Sequence, residues 1–113
     1  MKPVPKPTPA AKLRAAADRK QRKAYDLVYL LVTERDHGAC RVCGALYPPL
    51  SMHRHHIVYR SAGGPTSLAN VLLLCRVCHQ DEHEHTIRIT GDAHEPDALC
   101  VERQYGSRWV RVV

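Results

Sequence analysis

Four of the five cysteines and five of the eight histidines lie between residues 40 and 83 of this 113-residue chain, and all of them except His53 are candidates for chemistry. The cysteines form two Cys-Arg-Val-Cys turns, and two of the histidines are four residues apart. An asparagine and a Gly-Gly pair lie between the two turns. A mixture of soft thiolates and borderline imidazoles is typical of metal binding. The residues concerned are Cys40, Cys43, His55, His56, Asn70, Cys75, Cys78, His79 and His83.

The four clustered cysteines predict one structural zinc site. Two Cys-x-x-Cys pairs supply the four thiolates of a closed tetrahedral zinc shell, which leaves no position for a substrate. Zinc would also stabilise a chain whose core is small, because the sequence has no Phe and a single Trp. The alternative is redox use of each pair, which normally needs a βαβ context that the sequence lacks. Cys100 is expected to be a small buried hydrophobe.

The histidines predict a second site with a chemical role. On a helix, His79 and His83 share one face and can bind one ion. His55 and His56 come close to them if the two apolar runs of this segment pair as strands. In a regular strand these two side chains point to opposite faces. Both therefore reach one site only if the strand bends or if one acts from another side of the metal. His53 and the remaining histidines are expected to be bystanders.

The N-terminal third predicts a tail followed by a long helix. Alternating prolines favour a disordered, basic, Pro-rich tail over residues 1–9. Thr8 and Pro9 form a helix start signal, and a helix is predicted over residues 10–37 with Gly38 at its end. The stripe predicted to face the core consists of Ala24, Leu27, Val28 and Leu31.

Residues 38–113 are predicted to form the remaining domain, of α+β class. A strand, a Gly-Gly loop, a second apolar strand and a short helix should follow the first cysteine turn. A C-terminal β-hairpin should turn near Gly106. The predicted ranges are Met52 to Tyr59, Val71 to Leu74, His79 to about His85, Ala98 to Tyr105 and Ser107 to Val113.

The net charge of +6 is concentrated at the N-terminus. Residues 1–23 carry eight basic side chains against the single acidic Asp18, which is typical of an arm that binds nucleic acid. A solubilising tail is the alternative. No apolar leader and no apolar run of membrane-spanning length are present, so the expected location is the cytoplasm and no membrane partner is expected. The basic residues are Lys2, Lys6, Lys12, Arg14, Arg19, Lys20, Arg22 and Lys23.

Taken together, the order of these residues over about positions 38 to 85 resembles the HNH endonucleases of the His-Me-finger (ββα-metal) superfamily. The resemblance implies a ββα-metal core that is stabilised by a four-cysteine zinc site. By position, it implies that His56 is the general base and that His55, His79 and His83 hold a catalytic divalent ion. Asn70 would fix the loop and the orientation of the base. Histidine at positions 55 and 83 is closer to the colicin-DNase pattern than to members with Asp or Asn there.

The chemistry of these residues agrees with phosphodiester hydrolysis. A neutral imidazole can accept the proton of a water molecule at physiological pH, and a divalent ion can stabilise the charge on the phosphate. The implied cofactors are structural Zn²⁺ and one catalytic ion, either Mg²⁺, Mn²⁺, Ni²⁺ or Zn²⁺. Three imidazole ligands favour the borderline ions over Mg²⁺.

The expected activity is metal-dependent hydrolysis of DNA that leaves 3′-hydroxyl and 5′-phosphate ends. The size and layout resemble small HNH proteins of bacteriophages, which implies a role in phage DNA processing or packaging in the host cytoplasm. The implied partners are then the terminase or other DNA-processing proteins. The alternative is a non-catalytic, zinc-stabilised nucleic-acid-binding module.

Overall fold

The computed structural model describes residues 3–48 and 51–113. The first two residues of the predicted tail, and the Pro49 and Leu50 positions of the loop after the first cysteine turn, lie outside the described residues. The helices are α1 (Pro9–Arg35) and α2 (Arg76–His83), and the short 3₁₀ turns span Arg60–Ala62 and Pro96–Ala98. The strands are β1 (His53–His56), β2 (Val71–Leu74), β3 (Ile87–Thr90), β4 (Cys100–Tyr105) and β5 (Arg108–Arg111).

Helix α1 begins as the sequence predicts and ends earlier. The hydroxyl of Thr8 accepts a hydrogen bond from the backbone N–H of Ala11 at 3.1 Å, and Pro9 occupies the first turn. The helix stops at Arg35 because Asp36 caps it, and the chain then adopts left-handed conformations at both His37 and Gly38. The predicted end at residue 37 was therefore two residues too late.

The core-facing stripe of α1 differs from the prediction. Val32 is fully buried, and Val28 and Tyr29 pack against the core. Leu27 and Leu31 are instead 57% and 39% exposed. Only the last part of α1 meets β2. Tyr29 and Val32, which face the core there, each follow by one position a residue of the predicted stripe.

The α+β class and the ββα arrangement are confirmed. Strands β1 and β2 form an antiparallel hairpin in which His53 pairs with Leu74 and His56 pairs with Val71. All four residues of β2 are buried, and α2 follows directly and packs against both strands. The hairpin and α2 therefore surround the segment in which the sequence concentrates its histidines and cysteines.

The predicted C-terminal hairpin is present as β4 and β5, and a further strand extends it to three. Strand β3 pairs antiparallel with β4, which gives the order β3-β4-β5. Its alternation of buried Ile87 and Ile89 with exposed Arg88 and Thr90 is a strand pattern. Within the described ranges, no helix combines the length and the apolar composition that crossing a membrane requires.

Candidate active site

The four cysteines of the two turns converge. Their sulfur atoms all lie within 4.8 Å of one another, and Cys43 Sγ is 3.6 Å from Cys75 Sγ. Two sulfurs each about 2.3 Å from a tetrahedral zinc ion stand roughly 3.8 Å apart, so this spacing fits one ion. Burial and hydrogen bonding to neighbouring thiols raise the pKa of Cys78. Ionising all four thiols therefore requires a cation to compensate their charge.

Local backbone structure sets the cysteine geometry. The N–H of Gly44 donates to the carbonyl of Cys40 at 2.9 Å and closes the first turn. In the second turn Cys75 caps α2, and its Sγ accepts a hydrogen bond from the N–H of Cys78 at 3.4 Å. The N–H of Arg41 donates to the carbonyl of Leu73 at 2.9 Å, which fixes the first turn to β2.

Three of the four predicted histidines form a second cluster. One ring nitrogen from each of His55, His79 and His83 lies within 4.8 Å of the others. The Nε2 atoms of His79 and His83 are 3.1 Å apart. Nitrogens at about 2.1 Å from a common tetrahedral ion stand roughly 3.4 Å apart, so this donor set also fits a metal ion. The one-turn spacing on α2 and the central position on β1 bring the three rings together.

The histidine cluster is electrostatically suited to neutral imidazoles. Burial lowers the pKa of His55 to about 4, and the neighbouring histidines act in the same direction while Glu82 opposes them. Burial also lowers the pKa of His79. Since metal-ligating imidazole must be unprotonated, these residues are ready to bind an ion near neutral pH. His53 is exposed, but its ring stacks on His79 at 4.5 Å, so it is a neighbour of the cluster as well as a surface residue.

His56 contacts other elements. Its ring lies edge-on to Tyr29 of α1 with 6.4 Å between centroids, and its Nε2 is 2.9 Å from the hydroxyl of Thr66. His55 instead faces α2. Consecutive residues of a regular strand project to opposite faces, and β1 follows this rule up to its last residue, His56. Burial and the positive charge of Arg60 both lower the pKa of His56.

Asn70 holds the loop that joins β1 to β2. Its Oδ1 accepts from the N–H of Val58 at 2.8 Å, and its Nδ2 donates to the carbonyls of Val58 and Pro65. The loop can close this tightly because of its glycines. Gly63 has a left-handed φ of +85°, and a Cβ on Gly64 would stand 1.7 Å from the carbonyl oxygen of Val58.

Two residues that belong to the histidine site were not predicted from the sequence. Glu82 is buried, and its Oε2 lies 3.7 Å from Nε2 of His55. The hydroxyl of Tyr59 donates to the other carboxylate oxygen at 2.6 Å. Glu82 could have been found from its position on α2, since it follows His79 by three residues and therefore shares its face. Nothing in the sequence signals Tyr59, because its approach depends on the fold of the loop.

A two-stranded hairpin and a following helix that enclose three imidazoles define a ββα-type candidate metal site. Residues 40–85 match the family model described as HNH endonuclease, and this segment of the chain is an HNH endonuclease family domain. The family implies a metal-dependent nuclease whose substrate is a nucleic acid. Neither the curated proteins nor the solved structures gave a match to the chain.

Proposed function

We propose that this protein is a metal-dependent endonuclease that hydrolyses DNA phosphodiester bonds. The observation that carries the proposal is the convergence of the imidazoles of His55, His79 and His83 inside an HNH endonuclease family domain. In this proposal the three converging imidazoles hold a divalent ion. The bound ion supplies Lewis-acid stabilisation of charge on the phosphate.

The protein's own residues perform the proton transfer. His56 is the general base, and its lowered pKa keeps the imidazole neutral at physiological pH. The Thr66 hydroxyl lies 2.9 Å from Nε2 of His56 and fixes the orientation of the ring. His55 and His56 are the last two residues of β1, and their rings face α2 and α1 respectively. We infer that the scissile phosphate approaches this end of the hairpin, between the two rings.

The remaining residues support this site. Asn70 keeps the loop closed next to His56 through its three hydrogen bonds. Cys40, Cys43, Cys75 and Cys78 bind a structural Zn²⁺, because four thiolates complete a tetrahedral shell. Imidazole ligands favour Zn²⁺, Ni²⁺ or Mn²⁺ over Mg²⁺ at the catalytic position. Residues 38–113 act as the nuclease unit, and the basic segment before them contributes DNA affinity.

The biological setting extends the same proposal. The size and layout resemble small phage HNH proteins, which supports a role in phage DNA processing or packaging beside a terminase. The protein would then act in the host cytoplasm. Purified terminase that neither binds this protein nor changes its cleavage rate would remove this extension and leave the nuclease proposal intact.

The decisive experiment measures nicking of supercoiled plasmid by purified protein with chelator or with each of several divalent ions. The His56→Ala variant should lose about two to four orders of magnitude in rate, the usual contribution of a general base. Its DNA affinity and zinc content should not change. His79→Ala should lose the catalytic ion, and excess metal should partly restore its activity.

The matched control is His94→Ala, because His94 is an exposed histidine outside both clusters. This variant should nick plasmid like the wild type. If the wild type nicks no form of DNA with any ion, the nuclease proposal fails. The alternative, a non-catalytic zinc-stabilised nucleic-acid-binding module, would then replace it. Nicking by His56→Ala at the wild-type rate would exclude His56 as the base.

A further inference from the structure

Two arginines of the hairpin lie over tyrosine rings of α1. The guanidinium carbon of Arg54 is 5.3 Å from the ring centroid of Tyr29, and that of Arg60 is 5.2 Å from the ring centroid of Tyr25. The two tyrosines are four residues apart and therefore share one face of the helix. We call these four residues the arginine–tyrosine row. Stacking over a ring restrains a guanidinium while it leaves the N–H donors free to bond elsewhere.

The arginines of this row differ in their polar contacts from other arginines that are stacked on a ring or partly buried. Arg35, Arg41, Arg88 and Arg103 each donate to a carboxylate within 3.0 Å. Among the residues that the structure describes, the guanidiniums of Arg54 and Arg60 donate no hydrogen bond and form no ion pair. Both side chains belong to exposed residues. Their charge is therefore available to an anion that comes from outside the protein.

The row is placed beside the proposed base. Arg54 and His56 are two residues apart on β1 and so project to the same face of the strand. The ring of Tyr29, over which Arg54 lies, also contacts His56 edge-on. Arg60 begins the short 3₁₀ turn that follows β1, and its charge acts on the imidazole of His56. If the scissile bond of a bound DNA strand lies at His56, the phosphates on either side of that bond are the anions of the strand nearest to Arg54 and Arg60.

An open groove continues from the row along α1. It has a volume of about 570 Å³ and runs between Arg60 and the helix. Its charged lining consists of Arg19, Arg22, Arg60, Asp18 and Asp26, so the cations exceed the anions by one. Further basic side chains precede it on the same helix. The groove thus leads from the base toward the most basic part of the chain.

We propose that the arginine–tyrosine row is a phosphate clamp for the DNA strand beside His56. Arg54 and Arg60 bind the backbone phosphates that flank the scissile one, and Tyr29 and Tyr25 hold the two guanidiniums in place before the substrate arrives. Helix α1 is then part of the substrate site and continues it along its basic side. This inference rests on the proposed function, because it takes DNA as the substrate.

The test measures binding of a short fluorescein-labelled DNA duplex by fluorescence anisotropy over a range of salt concentrations. No divalent ion is added, and electrophoresis verifies that the probe stays intact. Arg54→Ala and Arg60→Ala should each weaken binding about tenfold at low salt, since each loses a charged hydrogen bond. Each should also reduce the slope of log affinity against log salt by about one, as the loss of one phosphate contact does.

Arg88→Ala is the matched control. Arg88 lies over the ring of Trp109 at 4.1 Å but is paired with Glu102 on the C-terminal sheet. It has the same side chain and the same type of stacking, and its charge is already neutralised. Its loss should change neither the affinity nor the slope.

The tyrosines are tested by a second pair of variants. Tyr25→Phe keeps the ring under Arg60 and should bind DNA like the wild type. Tyr25→Ala removes the ring and should weaken binding severalfold with an unchanged salt slope, because the charge remains but is no longer held. Equal affinities for Tyr25→Ala and Tyr25→Phe would refute the role of the ring.

The outcomes for the clamp and for the nuclease are separable. If no DNA cleavage is found but Arg54→Ala and Arg60→Ala show the expected losses, the nuclease proposal fails and the clamp stands as a DNA-binding surface. If the wild type cleaves DNA and both variants keep wild-type affinity and slope, the clamp is overturned. Weakening by Arg88→Ala equal to that of Arg60→Ala would also overturn it, because the effect would then be one of total charge.

Discussion

The hydroxyl of Tyr59 donates a 2.6 Å hydrogen bond to Oε1 of Glu82 and leaves the second oxygen of that carboxylate facing His55. Among the described residues, Oε2 of Glu82 and Nε2 of His55 are both buried without a hydrogen-bond partner, 3.7 Å apart. Histidines that ligate metals commonly donate their second ring N–H to a carboxylate, which fixes the tautomer and the ring orientation. We predict that Glu82 serves His55 in this way when an ion is bound.

Glu82→Gln should therefore weaken binding of an ion at the histidine cluster by about 10- to 100-fold, as loss of such a partner typically does. Tyr59→Phe should have a smaller effect, since the carboxylate remains. The measurement is calorimetric titration of Ni²⁺ into protein whose cysteine site is already loaded with zinc. Glu84→Gln is the control, because Glu84 is an exposed carboxylate at the end of the same helix. Unchanged Ni²⁺ affinity in Glu82→Gln would contradict the assigned role.

The pH dependence of cleavage should report on His56. Burial and the charge of Arg60 lower its pKa below the ordinary 6.5, so the acid limb of the single-turnover rate should lie below that pH. Arg60→Gln removes a positive charge and should raise the pKa of His56, which moves the acid limb to higher pH. Saturating DNA removes the effect of weaker binding. A limb that stays in place, or that moves to lower pH, would contradict the assignment.

Zinc content and folding should be lost together when the cysteine cluster is broken. Cys75→Ser removes one of the four converging thiols but keeps a side chain that can cap α2. Zinc measured by mass spectrometry and helical content measured by circular dichroism should therefore fall together through the loss of the metal. Cys100→Ser is the control, since Cys100 lies outside the cluster. A Cys75→Ser protein that folds normally without zinc would show that the site is dispensable.

Asp36 should be among the most sensitive polar positions for stability. Its buried carboxylate accepts hydrogen bonds from Arg35, from Arg41 and from the backbone N–H of Leu73. Asp36→Asn leaves two largely buried cations without a countercharge and should cost about 3 kcal/mol of unfolding free energy. Urea denaturation measures this cost. Asp97→Asn, a change at an exposed carboxylate, should leave the midpoint unaltered. A midpoint for Asp36→Asn equal to that of the control would be inconsistent with this network.

The parts of the fold that could be predicted are those encoded by local signals. Thr8 and Pro9 specify the start of α1, and the apolar run of β2 specifies a buried strand. The C-terminal sheet was predicted with two of its three strands, because the short alternation around Ile87 was not recognised. The core-facing side of α1 was misjudged because apolar content alone does not show which side meets β2.

In the candidate site too, only the features encoded locally could be predicted. Residue spacing alone predicted that the four cysteines converge and that His79 and His83 share one face of a helix. The partners that depend on tertiary packing were not predictable, among them Tyr59 for Glu82 and Thr66 for His56. The role of Asp36 was not predictable either, because the backbone N–H of Leu73 and the guanidinium of Arg41 reach its carboxylate only in the folded chain.

Arg41 belongs to the first cysteine turn, yet its guanidinium reaches Asp36 at the end of α1 and its backbone N–H reaches β2. Helix α1 is 27 residues long, and only its last part packs on the body of the protein. The end of α1 is therefore tied to the first cysteine turn. Because the helix is long, any shift of that turn would move the distant basic end of α1 farther than the turn itself moves.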